Sequence, residues 1–318
     1  MDYSERDNLI KALITGGAGF IGSNIVKLLI SKGHQIVVLD NLQTGYRENL
    51  DAYPEAQLIE GDIRDEQVVD KAIQGVDVVF HLAASVGNKR SICYPIEDAE
   101  INVIGTLRIL EAMRKYNVPK IVATSSAGIF GELKTLPISE DHPIDPDSPY
   151  GATKLASEKL TLAYGKLYDI QAVCLRYFNV YGVNQRYDAY GNVIPIFAHR
   201  MLNNLPVTIF GDGEQTRDFV NVHDVARANY LAATTDGISG AFNLGSCTRI
   251  TINHLVELMT EASGITPTVE YGPPRPGDVR DSLADISAAQ KAFGYEASVD
   301  LPTGLKEYMN WAEGALKE

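Results

Sequence analysis

A tyrosine and a lysine four residues apart are the first side chains whose types and spacing suit acid–base chemistry. Tyr150 and Lys154 follow Ser148, a typical helix N-cap, and Pro149, a typical first helical residue. We therefore predict that both side chains lie on one face of a helix. A nearby ammonium and a helix N-terminus stabilise the phenolate, so we expect the pKa of Tyr150 to fall from about 10 toward that of a general base. Since the chain has 16 tyrosines, a chance surface pair is the alternative interpretation.

A serine directly after a buried strand could assist that tyrosine. The apolar run Lys120–Thr124 predicts the strand, and Ser125 and Ser126 follow it. Ligands bind at the carboxyl ends of the strands in an open α/β sheet. Within hydrogen-bond reach of a tyrosine, Ser126 would polarise a substrate hydroxyl or carbonyl group, whereas a turn or helix cap is the simpler interpretation of Ser125.

A glycine-rich turn early in the chain predicts a binding site for a pyrophosphate. Gly16, Gly17, Gly19 and Gly22 follow the predicted strand Lys11–Thr15 and satisfy both GxGxxG and GxxGxxG. Glycines at these positions permit a tight turn and a close backbone approach, so the N-terminus of the next helix can meet a dinucleotide.

An aspartate at the end of the next strand supports the dinucleotide interpretation. Asp40 lies 18 residues after Gly22, where a carboxylate binds the hydroxyls of the adenosine ribose. No basic residue adjoins Asp40 to accept a 2′-phosphate, which favours NAD over NADP. Arg47 is close enough in sequence to keep NADP as an alternative.

Short β-rich runs alternate with amphipathic helical runs up to about residue 180. Such alternation is typical of βαβ units whose parallel sheet is covered on both faces. After residue 180, glycine and proline become frequent and irregular loops separate the helices. The predicted strands of the first part are Lys11–Thr15, Gln35–Asp40, Gln57–Glu60, Val76–Leu82, Lys120–Thr124 and Ala172–Arg176, and the helices are Ile21–Ser31, Gln67–Ile73, Ile101–Tyr116 and Pro149–Leu167.

We predict an α/β fold: a Rossmann-type doubly wound parallel sheet with a smaller mixed α/β C-terminal substrate-binding region. Residues 1–180, with 218–248 returning to them, would form the NAD-binding domain. Residues 181–217 and 249–318 would bind the substrate.

Composition excludes several classes of function. The chain has 318 residues, with 28 Lys and Arg against 41 Asp and Glu, and its net charge of −13 is unsuited to a nucleic-acid partner. Three widely spaced cysteines and six histidines show neither a disulfide framework nor zinc-ligand spacing. No apolar run reaches the ~20 residues of a membrane span. Residues 1–7 are polar and acidic, unlike a signal or transit peptide, so we expect a cytoplasmic protein.

Further motifs occur in a fixed order along the chain, and together they resemble the extended short-chain dehydrogenase/reductase superfamily. Within it, the chain is most similar to the UDP-hexose 4-epimerases. The resemblance implies a tightly held NAD that is reduced and reoxidised in each turnover, and a UDP-sugar substrate. Besides the glycine turn, Asp40, Ser126 and the Tyr150–Lys154 pair, the motifs are 61–63 (GDI), 81–84 (HLAA), 102–106 (NVIGT) and 176–182 (RYFNVYG).

The resemblance also implies roles for individual residues. Tyr150 would remove the proton of the C4 hydroxyl, Lys154 would hold the nicotinamide ribose and tune Tyr150, and Ser126 would bridge to the C4 oxygen. The implied cofactor-binding residues are Gly16, Gly19, Phe20, Ile21, Gly22, Asp40, Asn41, Asp62, Ile63, Leu82, Ala83, Ala84, Asn102, Tyr150, Lys154 and Tyr177. The implied substrate-binding residues are Ser126, Asn179, Asn192, Val193, Arg217, Arg275, Asp278 and Ser282.

The resemblance also bears on which reaction and which substrates to expect. Related dehydratases and decarboxylases need an acid just after the serine, where this chain has Ala127 and Gly128. The resemblance also implies that Ser282 lies over the C2 substituent of the sugar. A tyrosine there excludes N-acetyl groups, so we expect UDP-GlcNAc and UDP-GalNAc to be accepted alongside UDP-Glc and UDP-Gal.

Several alternatives stay open. A UDP-uronate 4-epimerase would need a cation facing the C6 carboxylate, and Arg186 or Lys89 could serve. A one-way dehydrogenase and a non-catalytic NAD-sensing module are further alternatives. The family commonly dimerises through a four-helix bundle, here helices Glu97–Tyr116 and Pro149–Leu167, although their apolar residues also fit an intramolecular core.

Overall fold

The structure, a computed structural model, describes residues 9–188, 191–274 and 279–317. Its strands in chain order are β1 (Lys11–Thr15), β2 (Gln35–Asp40), β3 (Gln57–Glu60), β4 (Val78–His81), β5 (Lys120–Ser126), β6 (Gln171–Tyr177), β7 (Asn179–Tyr181), β8 (Val207–Phe210), β9 (Thr216–Arg217), β10 (Phe219–Asn221), β11 (Gly240–Leu244), β12 (Ile250–Thr251) and β13 (Val269–Gly272). Its α-helices are α1 (Phe20–Ser31), α2 (Glu66–Ile73), α3 (Asn88–Cys93), α4 (Pro95–Ala99), α5 (Thr106–Tyr116), α6 (Pro149–Tyr168), α7 (Val193–Leu202), α8 (Val222–Thr234), α9 (Ile252–Ser263), α10 (Ser287–Phe293) and α11 (Leu301–Leu316).

Seven parallel strands of the described chain form the main sheet, in the order β3-β2-β1-β4-β5-β6-β11. The chain runs outward from β1 to β3 and then returns to β4 on the other side of β1. This reversal creates a crevice beyond the carboxyl ends of β1 and β4, the usual ligand site of such sheets.

Both faces of the main sheet are buried, as its apolar strands require. Along β1, Ala12 and Ile14 join the core beneath α1 and α8, whereas Leu13 joins the core on the opposite face with α2 and α5. The predicted doubly wound α/β fold is therefore confirmed.

The C-terminal part is built from short strand pairs and three helices around a third core. β7 pairs with β10 and β8 with β13 in parallel, and β9 pairs with β12 in antiparallel fashion. α7, α9 and α11 supply most of the apolar side chains of this core. β11 and α8 instead return to the main sheet, where β11 pairs with β6 and α8 packs on α1.

Several predicted elements differ from the observed ones at their ends, most of them by a single residue. β4 begins two residues later than predicted, and β5 continues to Ser126 because its last residues pair in register with β6. The predicted helix Ile101–Tyr116 starts as a π-helix, Glu100–Gly105, before α5. In this wide turn the carbonyl of Asn102 accepts bonds from the hydroxyls of Thr106 and Ser157, at 2.6 and 2.5 Å. π-turns often mark functional sites.

In the described part of the chain, no helix is long and apolar enough to cross a membrane.

Candidate active site

The predicted glycine turn connects β1 to α1 in a conformation that only glycine accepts readily. Gly16 has φ +70°, and a β-carbon on Gly22 would collide with the carbonyl oxygen of Gly16. Gly19 is the N-cap of α1, and no side chain of the described residues caps this helix. Phe20 and Ile21 form its first turn. The N-terminus of α1 is thus open to an anion, which fits the diphosphate of a dinucleotide.

Asp40 fixes the glycine turn to the end of β2. Its Oδ2 accepts a hydrogen bond from the backbone N–H of Ala18 (3.0 Å), and its Oδ1 accepts one from Leu42 (2.8 Å). Burial raises the pKa of Asp40, and these two hydrogen bonds act in the opposite direction. Arg47, the residue that kept NADP open, is exposed and paired with Glu60 at 2.6 Å. The crevice therefore holds a carboxylate, and the neighbouring cation is already engaged.

Asn41 and Asp62, two further predicted cofactor residues, lie together at the ends of β2 and β3. Asn41 Nδ2 donates to Asp62 Oδ2 at 2.9 Å. Hydrogen bonds from Arg64 lower the pKa of Asp62 to about 2, so its carboxylate stays charged. Ile63 is buried next to them and packs against Gly105.

A buried histidine, noted in the sequence only as part of a motif, connects the first strand to α5. His81 lies between two hydroxyls, with Nδ1 2.8 Å from Thr15 Oγ1 and Nε2 3.0 Å from Thr106 Oγ1. Thr15 Oγ1 also accepts the backbone N–H groups of Leu82 and Ala83, both at 3.2 Å. Burial, with the charge of Lys154, lowers the pKa of His81 to about 3, so the imidazole is neutral.

Asn102 joins the segment after β4 to α6, the helix that carries Tyr150 and Lys154. Its Oδ1 accepts the N–H of Ser85 (2.9 Å), and its Nδ2 lies 3.0 Å from Thr153 Oγ1 and 3.2 Å from Asp98 Oδ2. Thr153 also donates to Asp98 at 2.5 Å. Ala84 precedes Ser85 in this segment and is partly buried. Asp98 is 1% exposed and was not identified from the sequence.

The structure brings Ser126, Tyr150 and Lys154 together at the carboxyl end of β5. Ser148 caps α6 by accepting the N–H of Gly151 at 3.1 Å, as predicted. Ser126 Oγ accepts the N–H of Gly128 (3.1 Å), and a β-carbon on Gly128 would stand 3.7 Å from the Tyr150 ring.

Lys154 lies one helical turn beyond Tyr150 and is 5% exposed. Its Nζ donates to Thr124 Oγ1 at 3.1 Å, and burial lowers its pKa to about 8. The prediction for Tyr150 is wrong in direction, because burial raises the pKa of its hydroxyl. A hydrogen bond with Ser126 lowers that pKa, and the charge of Asp98 raises it further. The ammonium of Lys154 donates to the hydroxyl of Thr124 on β5. The desolvation of Tyr150 therefore determines the direction in which its pKa shifts.

A buried ion pair beneath the site was missed from the sequence. Arg176 donates to both oxygens of Glu158, at 3.0 and 2.8 Å, and Ser125 Oγ donates to Glu158 Oε2 at 2.7 Å. Burial acts to raise the pKa of Glu158, but Arg176 and Ser125 together lower it. The sequence could have indicated this pair, because Arg176 ends a predicted buried strand and a buried arginine requires a carboxylate.

The predicted substrate residues are only partly brought together. Asn179 Nδ2 donates to the carbonyl of Asp218 (3.1 Å), and Arg217 donates to the carbonyl of Thr216 (2.8 Å). Asn192 is the exposed N-cap of α7, with Val193 as its first residue. Arg275 and Asp278 lie outside the described residues.

Ser282 is buried, and its segment packs against the residues that follow Ser126. Ala284 Nα–H donates to Asp218 Oδ2 (3.0 Å), and its side chain shares an apolar cluster with Ile129 and Phe130, just after Ser126.

Tyr177, a predicted cofactor residue, has its side chain in the core beneath α8. Its hydroxyl lies 2.7 Å from Asn229 Nδ2, and burial raises its pKa. Only its backbone reaches the site, since Tyr177 pairs in register with Ser126.

Comparison with known proteins shows the family. Residues 12–245 match the NAD dependent epimerase/dehydratase family. A UDP-glucose 4-epimerase of Halalkalibacterium halodurans is 38% identical over an alignment that covers 94% of each chain. The chain belongs to this family of NAD-dependent enzymes, as its motifs predicted.

Two solved structures have the same fold over nearly their whole length. UDP-glucose 4-epimerase from Thermotoga maritima, crystallised with UDP-glucose, has a TM-score of 0.92 and 40% identity, covering 96% of this chain and 100% of that one. UDP-N-acetylglucosamine 4-epimerase from Methanobrevibacter ruminantium M1, in complex with UDP-N-acetylmuramic acid, has a TM-score of 0.92 and 34% identity, covering 97% and 99%.

Proposed function

We propose that this chain is a UDP-sugar 4-epimerase that inverts C4 through a transient 4-keto sugar. The observation that supports it most directly is the convergence of Ser126, Tyr150 and Lys154 beside the crevice that holds the glycine turn. NAD, when bound there, supplies the hydride acceptor and donor that this chemistry requires. Residues 1–180 with 218–248 would bind NAD, and residues 181–217 and 249–318 the nucleotide sugar.

The protein side chains would remove and return the proton of the C4 hydroxyl. Tyr150 would accept it, and Ser126, already bonded to Tyr150, would hold the C4 oxygen within reach. Lys154 is desolvated, and its positive charge would stabilise the negative charge that forms on Tyr150 as a phenolate. Because burial raises the pKa of Tyr150, its phenolate would be a strong base for the C4 proton, and its neutral hydroxyl would be a weak acid.

The surroundings of Ser126 favour epimerisation over dehydration or decarboxylation. Ala127 and Gly128 offer no acid, and Gly128 lies between Ser126 and the Tyr150 ring, where a side chain would enter the site. The uronate alternative needs a cation that faces the C6 carboxylate of the sugar. Of the two cations that could serve, Arg186 lies against Tyr46 beside the glycine turn, and Lys89 is exposed.

We propose that the enzyme accepts N-acetylated UDP-sugars as well as UDP-Glc and UDP-Gal. Ser282 is a small side chain, and its segment is held to Asp218 and to the apolar residues that follow Ser126. A small residue at this place leaves room at the C2 position of the sugar. Arg217, with Arg275 and Asp278, would bind the UDP group.

We also propose a homodimer in which α5 and α6 of two copies form a four-helix bundle. The two helices pack side by side, and Ile104, Leu167 and Tyr168 are exposed on or beside them. Light scattering should give twice the chain mass of 34.7 kDa, and a single-chain mass would contradict this.

The test is to incubate the purified protein, without added NAD, with UDP-Glc, UDP-GlcNAc and UDP-GlcA in turn. The anomeric NMR signals of the C4 epimer should appear with the first two substrates. No epimer from any substrate, with NAD loading verified, would overturn the proposal. Epimer from UDP-GlcA alone would favour the uronate alternative.

A further inference from the structure

The loop at residues 183–188, here called the crossing loop, runs over the beginning of α1. Asn24 Nδ2 donates to the carbonyl oxygen of Val183 at 2.9 Å. Asn184 Nδ2 donates to Ser23 Oγ at 2.9 Å. Since Ser23 and Asn24 belong to the first turns of α1, these bonds hold the crossing loop next to the open helix N-terminus.

The far end of the crossing loop is held by the helix that follows β4. Arg90 of α3 pairs with Asp188 at 3.2 Å. α1 follows β1 and α3 follows β4, so the crossing loop spans the two sides of the crevice in which the dinucleotide would lie.

Arg186, in the middle of the crossing loop, is held against Tyr46. Its Cζ lies 3.9 Å from the centroid of the Tyr46 ring, well within cation–π range. Tyr46 is in turn attached to the glycine turn, because its N–H donates to the carbonyl oxygen of Ala18 at 3.0 Å. Arg186 Nε is buried without a hydrogen-bond partner among the residues that the structure describes.

Among the residues that the structure describes, no carboxylate forms an ion pair with the guanidinium of Arg186, whereas the neighbouring Arg90 pairs with Asp188. A buried N–H donor left unpaired is costly, and guanidinium groups bind phosphate oxygens with two parallel hydrogen bonds. The open N-terminus of α1, to which the crossing loop is bonded through Ser23 and Asn24, is a place where the fold itself attracts a phosphate.

We propose that Arg186, oriented by Tyr46, binds the diphosphate of the bound dinucleotide and slows its release between turnovers. This rests on the proposed function, because it requires NAD in the glycine turn. The diphosphate of a nucleotide sugar has the same chemistry, so the experiment must distinguish the two ligands.

The experiment measures NAD release directly. Protein carrying NAD is mixed with excess isotopically labelled NAD, and the unlabelled NAD that stays bound is followed by mass spectrometry. Arg186→Met should release NAD about 10- to 100-fold faster, the loss expected for a charged hydrogen bond. Tyr46→Leu should have a smaller effect in the same direction. Lys32→Met is the matched control, because Lys32 forms a cation–π pair with Tyr230 (4.6 Å) at the other end of α1.

Affinity for UDP, measured by calorimetry, separates the two ligands. Faster NAD release with unchanged UDP affinity supports the proposal. Unchanged NAD release, whether or not UDP binds more weakly, overturns it. If Arg186→Met fails to fold, Arg186→Lys keeps the charge without the planar guanidinium, and the same criteria apply. A wild-type protein that cannot bind NAD at all would overturn the proposed function instead.

Discussion

Replacing Glu158 by glutamine tests whether the ion pair beneath the proposed active site holds the segment of Ser125 and Ser126 in place. The carboxylate accepts three hydrogen bonds, two from Arg176 and one from Ser125, and both charged side chains are at most 4% exposed. Glutamine keeps the shape but has one acceptor oxygen, and its amide nitrogen would face a donor. Arg176 would then be a buried charge without a counter-ion.

The expected cost follows from these contacts. Removing one member of a buried ion pair costs about 3–5 kcal/mol, far more than an exposed pair contributes. We expect Glu158→Gln to lower the free energy of unfolding by about 3 kcal/mol, the low end of that range, because a glutamine oxygen in the place of Oε2 keeps the hydrogen bonds from Ser125 and from Arg176 Nε. Urea denaturation of the NAD-loaded protein, followed by circular dichroism, gives the difference. Since Ser125 adjoins Ser126, kcat should also fall.

Glu66→Gln is the control, because Glu66 forms an exposed pair with Arg108 at 2.7 Å. Its unfolding midpoint should not change. The pKa of Glu158 is lowered in the folded state, so its contribution is present above the unfolded pKa of about 4.5 and is lost as pH falls through the folded value. The difference between Glu158→Gln and wild type should therefore persist from pH 6 to 8. Equal effects of the two substitutions would refute the reasoning.

Four further predictions follow from the site. Tyr150→Phe should lower kcat by about 10²–10⁴-fold while the protein retains NAD, and activity near wild type would exclude Tyr150 as the base. Ser282→Tyr should abolish epimerisation of UDP-GlcNAc but spare UDP-Glc, whereas equal losses would contradict the role of Ser282. Gly22→Ala should purify without NAD, as measured by chromatography of the extracted nucleotide, while Gly314→Ala, with open space around its α-carbon, should retain it. Because His81 has a folded pKa of about 3 against about 6.5 unfolded, it should cost the protein about 1.4 kcal/mol of stability per pH unit as pH falls below 6.5, and His81→Gln should flatten this slope in urea titrations at pH 6, 5 and 4.

The sequence predicted those parts of the site that local rules determine. A glycine turn after a strand, an aspartate ending the next strand, and Ser148 before Pro149 each depend on neighbouring residues, and the structure has all three as expected. The ion pair of Glu158 and Arg176 joins α6 to β6, and only the packing of these elements brings the two charges together. Long-range partners of this kind leave no local pattern.

The pKa of Tyr150 was predicted with the wrong sign for a related reason. Spacing on a helix places Lys154 near Tyr150, but it does not reveal that Thr124 binds the ammonium or that Asp98 approaches from α4. Desolvation depends on the whole surroundings of a group, and the sequence shows only its neighbours along the chain. The sequence alone can therefore predict which residues form the site, but predicting the direction of their pKa shifts requires the fold.

The strand before the glycine turn is connected to α6 by a series of hydrogen bonds between neutral groups. Thr15 bonds to His81, His81 to Thr106, Thr106 to the carbonyl of Asn102, and Asn102 to Thr153 between the two catalytic residues. A titrating group in this series would change its hydrogen bonds with pH, but the low pKa of His81 keeps the imidazole neutral well below neutral pH. The hydrogen bonds of His81 that connect the end of β1 to the start of α5 therefore do not change in the pH range in which Tyr150 would accept and return a proton.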